Sequence, residues 1–339
     1  MFKRIQSLSR GQRLLVYLLL FGGTGLLLAA ISLAVLLLII NNSERPQGRS
    51  AADGVTVRQF AVLPDDNAYP ASVAAAPDGS VYTGSYATGA LWHIAPDGGI
   101  SEIPGTRGVL GAVSGLTLGP DGALYAVYLR DASLTMIGGG VVRVAPDGQI
   151  TAFAEPDGGF LLPDDIALDA QGRVYVTDRG RRAVLRFAPD GSGGAVWWTP
   201  SVPSDTRAAP TGLAYDAASD TLIVTDSHLD EIYRLSLDGQ VVETLYAHGG
   251  RPSAPGFDGV TVAPDGAVYA AALAQNRVVQ VADGGLITLA EGFRGVNDVA
   301  YHAGRLYATN FDSFSLVIPA VQPRLPFALD VIELGELAR

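Results

Sequence analysis

The chain has 339 residues, 48% of them hydrophobic and 17% charged, with 41 glycines, 20 prolines and no cysteine. That length allows one large domain with an appendage, and the lack of cysteine excludes disulfides, thiolate metal sites and cysteine nucleophiles. A formal charge of −11 disfavours nucleic acid and anionic membrane surfaces as partners and tolerates cations.

The N-terminus runs against that balance. Lys3, Arg4, Arg10 and Arg13 place four positive charges in residues 1–13, leaving −15 on the rest. Residues 14–40 then carry no charge over 27 positions and are mostly Leu, Ala, Val and Ile. Such a run spans a bilayer with some tilt. It is longer than the apolar core of a cleaved signal peptide, about 7–15 residues, so an uncleaved transmembrane helix is expected. The basic residues before it predict a cytoplasmic N-terminus and an extracytoplasmic remainder. Residues 41–54 are polar and rich in Ser, Arg, Gly and Ala, and read as a flexible linker reaching about 20 Å.

From residue 55 onward a short unit recurs. Ala76-Pro77-Asp78-Gly79 joins two apolar segments in a tight hairpin, since Pro pre-sets φ at the second turn position and Gly takes the left-handed one. It returns as Gly119-Pro120-Asp121-Gly122 and Ala263-Pro264-Asp265-Gly266, with degenerate copies near 170, 217 and 303. A second turn follows in the first five repeats, as in Pro96-Asp97-Gly98 and Pro146-Asp147-Gly148. Intervals of 39 to 50 residues holding four short strands, A to D, predict an all-β, six-bladed β-propeller over 55–339. The sixth repeat lacks its own strand D. Residues 55–62 resemble the other D strands and are expected to complete it, hiding two open edges. On that topology the membrane tether should enter from the tight-turn face. The opposite face carries long, unequal connections (64–70, 129–140, 199–210, 247–257 and 311–326), and function is expected there.

Counting back six residues from each turn gives Ala71, Ser114, Asp164, Thr211, Asp258 and Asn297, a ring at the mouth of the central channel on the long-loop face. Asp164, Thr211, Asp258 and Asn297 offer hard oxygen donors side by side. They could hold Ca²⁺ or another divalent cation, or cap the strands and bind channel water.

Phe257-Asp258-Gly259-Val260, Pro210-Thr211-Gly212-Leu213-Ala214 and Pro163-Asp164-Asp165-Ile166-Ala167, each followed by the hairpin, resemble the SMP-30/gluconolactonase/LRE-like propellers. Val174-Tyr175-Val176-Thr177-Asp178 is also similar to NHL repeats. The lactonase resemblance implies a divalent metal held by a Glu, an Asn and an Asp, with a neighbouring Asn in substrate binding. Carried over by position, the Asp is Asp258, the Asn is replaced by Thr211, the Glu by Ala71, and the neighbouring Asn by Asp164. Two of three implied ligands are thus missing, and a remodelled site would use Asp164, Asp258 and Asn297.

Asp178 and Asp226 end second strands and approach the same face, where His228 follows in a loop; with Ser114, Thr211 and Asn297 they are candidate ligand-binding residues. Two functions follow. One is a membrane-anchored extracytoplasmic module that binds a small polar ligand or a protein through its long-loop face. The other is a divalent-metal hydrolase of a lactone or ester, with Asp258 and Asp164 as catalytic carboxylates.

Overall fold

A computed structural model describes residues 9–42, 46–133, 137–203, 206–318 and 320–335, the side chains of 18–21 excepted; Lys3 and Arg4 lie outside them. The chain divides into two compact units, Met1–Arg45 with Phe314–Arg324, and Pro46–Ser313 with Leu325–Arg339.

The first unit is built on helix α1 (Arg10–Asn42). A capping box starts it: the Ser9 amide donates to Gln12 Oε1 at 3.1 Å and the Gln12 amide to Ser9 Oγ at 3.3 Å. Leu14, Leu15, Leu26, Leu27, Leu38 and Ile39 are all exposed, so the helix is apolar on every side, as a lipid-facing span is. It is long and apolar enough to cross a membrane. At its end the Asn41 amide donates to the Ala320 carbonyl at 3.0 Å and accepts from the Gln322 amide at 3.1 Å. Phe314 and Val317 of the short α2 (Phe314–Val317) stay exposed.

The second unit is a propeller of six antiparallel sheets. Blade 1 contains β3 (Pro70–Ala75), β4 (Val81–Ser85), β5 (Leu91–Ile94) and β6 (Ile100–Glu102). Blade 2 contains β7 (Ala112–Leu118), β8 (Leu124–Leu129), β9 (Gly139–Val144) and β10 (Ile150–Ala154). Blade 3 contains β11 (Pro163–Leu168), β12 (Val174–Asp178), β13 (Ala183–Phe187) and β14 (Ala195–Trp198). Blade 4 contains β15 (Pro210–Asp216), β16 (Thr221–Asp226), β17 (Glu231–Ser236) and β18 (Val241–Ala247). Blade 5 contains β19 (Phe257–Val262), β20 (Val268–Ala272), β21 (Arg277–Ala282) and β22 (Gly285–Glu291). Blade 6 contains β23 (Val299–His302), β24 (Arg305–Ala308) and β25 (Ala328–Glu333). The expected closure is present: β2 (Thr56–Val62) pairs antiparallel with β25, from Thr56 opposite Glu333 to Val62 opposite Ala328.

The core lies between blades. Tyr125, Val127 and Phe160 pack with Ile166, Leu185 and Phe187 of the next blade, and Tyr246 of blade 4 meets Phe257 of blade 5 edge-on. A single sheet buries little alone, so stability comes from stacking each blade on its neighbours.

Two expectations about the tether change. The stretch 41–54 is not wholly a linker, because β1 (Arg49–Ser50) adds a fifth strand to blade 5. Arg49 lies opposite Glu291, the last residue of β22, and pairs with it at 2.8 Å. Strand β22 ends on the long-loop face, and β1 runs antiparallel to it. The chain therefore enters the propeller from the long-loop face, descends along blade 5, and turns upward as β2.

Candidate functional site

The predicted ring coincides with a backbone irregularity. Pairing of the innermost strand shifts between Pro70 and Ser72, Val113 and Gly115, Pro163 and Ile166, Pro210 and Leu213, and Phe257 and Val260. These are β-bulges, which leave residues out of the ladder and re-aim their side chains. Threonines on the second strand fill the gap. Thr177 Oγ1 accepts from the Asp165 amide at 2.8 Å and donates to the Thr211 carbonyl of the next blade at 2.6 Å. Thr225 repeats this with the Gly212 amide and the Asp258 carbonyl, at 2.8 and 2.6 Å.

The residue after each ring position is Asp in blades 3 and 6, where it reaches the next blade, Gly in blades 2, 4 and 5, where it must make room, and Ser72 in blade 1. Asp165 accepts from the Leu213 amide of blade 4, and Asp298 from the Val73 amide of blade 1, both at 2.8 Å. A Cβ on Gly259 would collide with the Asp298 carboxylate and lie 2.7 Å from its Cα. Burial, and then the Asp298 charge, hold the Asp165 carboxyl well above the usual carboxylate range, with the Leu213 and Ile166 amides opposing. Both aspartates border the central channel, a cavity of about 250 Å³.

The mouth above them is a charge cluster. Arg179 Nε stands 3.2 Å from Asp164 Oδ2, a buried oxygen with no aligned hydrogen bond. Burial pushes the Asp164 carboxyl up, and the guanidinium partly opposes that. Asp258 is pushed well above the usual range by burial and then by the Asp164 charge, with Arg179 opposing. A recessed carboxyl with raised proton affinity beside a guanidinium is an arrangement suited to proton transfer.

The other ring residues are otherwise engaged. Thr211 Oγ1 lies 3.1 Å from Thr225 Oγ1 and donates to the Phe257 carbonyl at 3.2 Å. The Asn297 amide donates to the Ala71 carbonyl at 2.9 Å, tying blade 6 to blade 1, and Ser114 Oγ donates to the Pro163 carbonyl at 3.4 Å. These three join blades rather than face a ligand, because bulged strands leave carbonyls that need donors. The divalent-cation reading fits poorly for the same reason. Asn297 is held to blade 1 through its Nδ2, Thr211 is turned into an interface, and a guanidinium stands 3.2 Å from Asp164. Among the described residues no group of three or more His, Asp or Glu could hold a metal ion.

Asp178 and Asp226 also differ from expectation. Asp178 accepts from the Leu161 and Leu162 amides, both at 2.9 Å, and Asp226 from the Ala209 and His228 amides at 2.8 and 3.0 Å. Both are fully buried. They brace the connections entering blades 3 and 4 and are shut off from solvent by burial.

His228 does face a cavity. A recess of about 370 Å³ opens on the long-loop face, and His228 lines it with Tyr86, Arg179, Arg182 and Arg207. The three arginines escaped the sequence reading. The signal was Arg179-Gly180-Arg181-Arg182, a basic run directly after Val-Thr-Asp in an acidic chain.

No family model matches the chain. Over 214 residues it is 31% identical to virginiamycin B lyase of Nocardia farcinica, an alignment covering 63% of this chain and 66% of that protein. The chain thus spans just under two thirds of the length of this curated relative. Virginiamycin B lyase from Staphylococcus aureus has a similar structure, with a TM-score of 0.60, 12% identity, and coverage of 83% of this chain and 99% of that one. A gluconolactonase from Xanthomonas campestris superposes with a TM-score of 0.59 at 16% identity, over 87% and 96% of the two chains. At these identities the structural likeness is one of fold.

Proposed function

We propose that the chain is a membrane-anchored, extracytoplasmic propeller whose long-loop face binds a small polar molecule and acts on it as a hydrolase or lyase of an ester or lactone. The observation that carries this reading is the recessed Asp258 carboxyl grouped with the Arg179–Asp164 ion pair at the channel mouth. In a hydrolysis Asp258 takes a proton from water as the water oxygen bonds to the carbonyl carbon, and returns it to the leaving alkoxide as the acyl C–O bond breaks. In an elimination it takes the proton from the carbon beside the carbonyl while a C=C bond forms and the C–O bond one carbon further breaks, releasing the oxygen group as its anion. Arg179 faces the carbonyl oxygen and stabilises the negative charge that develops there. Asp164 is a positioning residue that holds the guanidinium. The relatives named as a lyase and a gluconolactonase support the reaction class, and α1 with the basic residues before it supports the anchor.

The test is turnover of a panel of lactones, esters and cyclic depsipeptides by the full chain in a non-ionic detergent. Asp258→Asn is expected to lower the rate by about 10²–10⁴-fold with an unchanged circular dichroism spectrum. A wild-type chain that turns over no member, or a variant that matches it, ends the catalytic reading.

A further inference from the structure

The recess on the long-loop face has a sign opposite to that of the chain around it. The sequence holds 34 Asp and Glu against 23 Lys and Arg, yet the described residues of the lining include three arginines and one histidine and no carboxylate. The turn between β12 and β13 explains how this is built. Its three arginines have three fates. Arg179 is paired with Asp164. Arg181 is a brace, donating to the Asp157 and Gly159 carbonyls at 3.2 and 2.5 Å beside Asp178. Arg182 takes the left-handed conformation, with φ at 56°, and points into the recess.

Arg182 Nη1 makes a long bond of 3.5 Å to the Thr206 carbonyl, next to Arg207 in the chain, and both arginines line the recess. Neither Arg182 nor Arg207 forms an ion pair among the described residues, and both are exposed. Two guanidinium groups lining one recess, with no ion pair to a described carboxylate, favour an oxyanion between them. Guanidinium forks also match carboxylate and phosphate oxygens in pairs. The lining also holds an apolar part, with Leu129, Leu162 and the ring of Tyr86. The volume of about 370 Å³ suits a small molecule.

We infer that this recess binds a ligand through an anionic group, a carboxylate or phosphate ester, gripped by Arg182 and Arg207 with His228 at its edge, while an apolar portion lies against Leu129 and Leu162. The inference rests on the reading that the long-loop face takes up the ligand, and it names that ligand's class.

The test is calorimetric titration of the full chain in a non-ionic detergent with benzoate, inorganic phosphate and, as the uncharged control, benzyl alcohol. Benzoate and phosphate should bind saturably in the presence of excess chloride, and benzyl alcohol should not. The double variant Arg182→Gln/Arg207→Gln should weaken both anions by about tenfold or more, equivalent to 1.4 kcal/mol or more, with an unchanged thermal midpoint; Arg182→Lys/Arg207→Lys should restore part of it. Absence of anion binding at tens of millimolar, or binding equal in wild type and the Gln variant, overturns the inference. Comparing glycerol 3-phosphate with a short-chain phosphatidic acid separates a soluble ligand from a lipid headgroup. Equal affinities assign the former, tighter lipid binding the latter, and binding of neither overturns the phosphate arm. The titration reads no turnover. Anion binding without hydrolysis or elimination removes only the catalytic reading, and turnover of a panel member with no anion binding removes only this one.

Discussion

Asp298 sits where the last blade meets the first, and its titration should be visible in the stability of the whole ring. Its Oδ2 accepts from the Val73 amide at 2.8 Å across the seam, and its Oδ1 from the Val299 amide at 2.7 Å. It is 7% exposed. Burial pushes its carboxyl up to about 7, overriding the two amides that favour the charged form. An acid raised in this way keeps a proton that the unfolded chain has already released. The stability it contributes is complete below the ordinary 3.8 and is lost as the pH rises through about 7. Each pH unit inside that window is worth about 1.4 kcal/mol, so this group alone should make the chain about 3 kcal/mol more stable at pH 5 than at pH 8. Asp165 and Asp258 are raised too and act in the same direction. Asp298→Asn keeps one acceptor but turns an amide donor toward a backbone N–H, which should cost about 1–3 kcal/mol at pH 5. Urea unfolding of the full chain in a non-ionic detergent, followed by tryptophan fluorescence at both pH values, gives the comparison. The wild type should lose about 3 kcal/mol more than Asp298→Asn between pH 5 and pH 8. Equal pH dependence in the two proteins would refute the assignment of this proton to Asp298.

Gly259→Ala should destabilise the propeller by about 1–3 kcal/mol, since its Cβ meets the Asp298 carboxylate; an unchanged thermal midpoint would mean the bulge relaxes freely. Thr225→Val keeps the shape but strands the Gly212 amide and the Asp258 carbonyl, at a cost of about 1–3 kcal/mol read by the same urea titration. A chain starting at residue 46 retains β1 and β2 and should be monomeric by size-exclusion chromatography. One starting at residue 63 leaves the edge of β25 open and should aggregate; equal behaviour of the two would show that β2 is dispensable. The anchor is checked by alkaline carbonate extraction, after which the full chain should remain in the membrane pellet.

The six-bladed fold was legible because each repeat carries its own punctuation. A Pro-Asp-Gly turn is a local event, set by the φ preferences of three residues, and counting such turns required no knowledge of what lies across the ring. The same counting put Asp164, Asp258 and Asn297 on one ring at the entrance to the innermost strands, and matched residues 55–62 to a missing strand. The apolar stretch 14–40 was equally plain, since hydrophobicity needs no partner to be recognised.

Partnership is what the linear pattern concealed. Whether Asp178 binds a ligand or braces a loop depends on the Leu161 and Leu162 amides, brought to it by the path of a connection. Whether Asp164 accepts a metal depends on Arg179, presented by a turn of the same blade. Arg207 joins Arg182 only because a long connection folds back over the mouth. The direction of the tether turned on two residues, Arg49 and Ser50, too few to announce a strand and ordered by the open edge of β22. Local turn chemistry therefore specified the number of blades and the ring of positions. The charge of the recess, the carboxylates left to act, and the face from which the chain leaves were decided by contacts between segments far apart in sequence, because hydrogen-bond capacity and electrostatic field belong to neighbours in space.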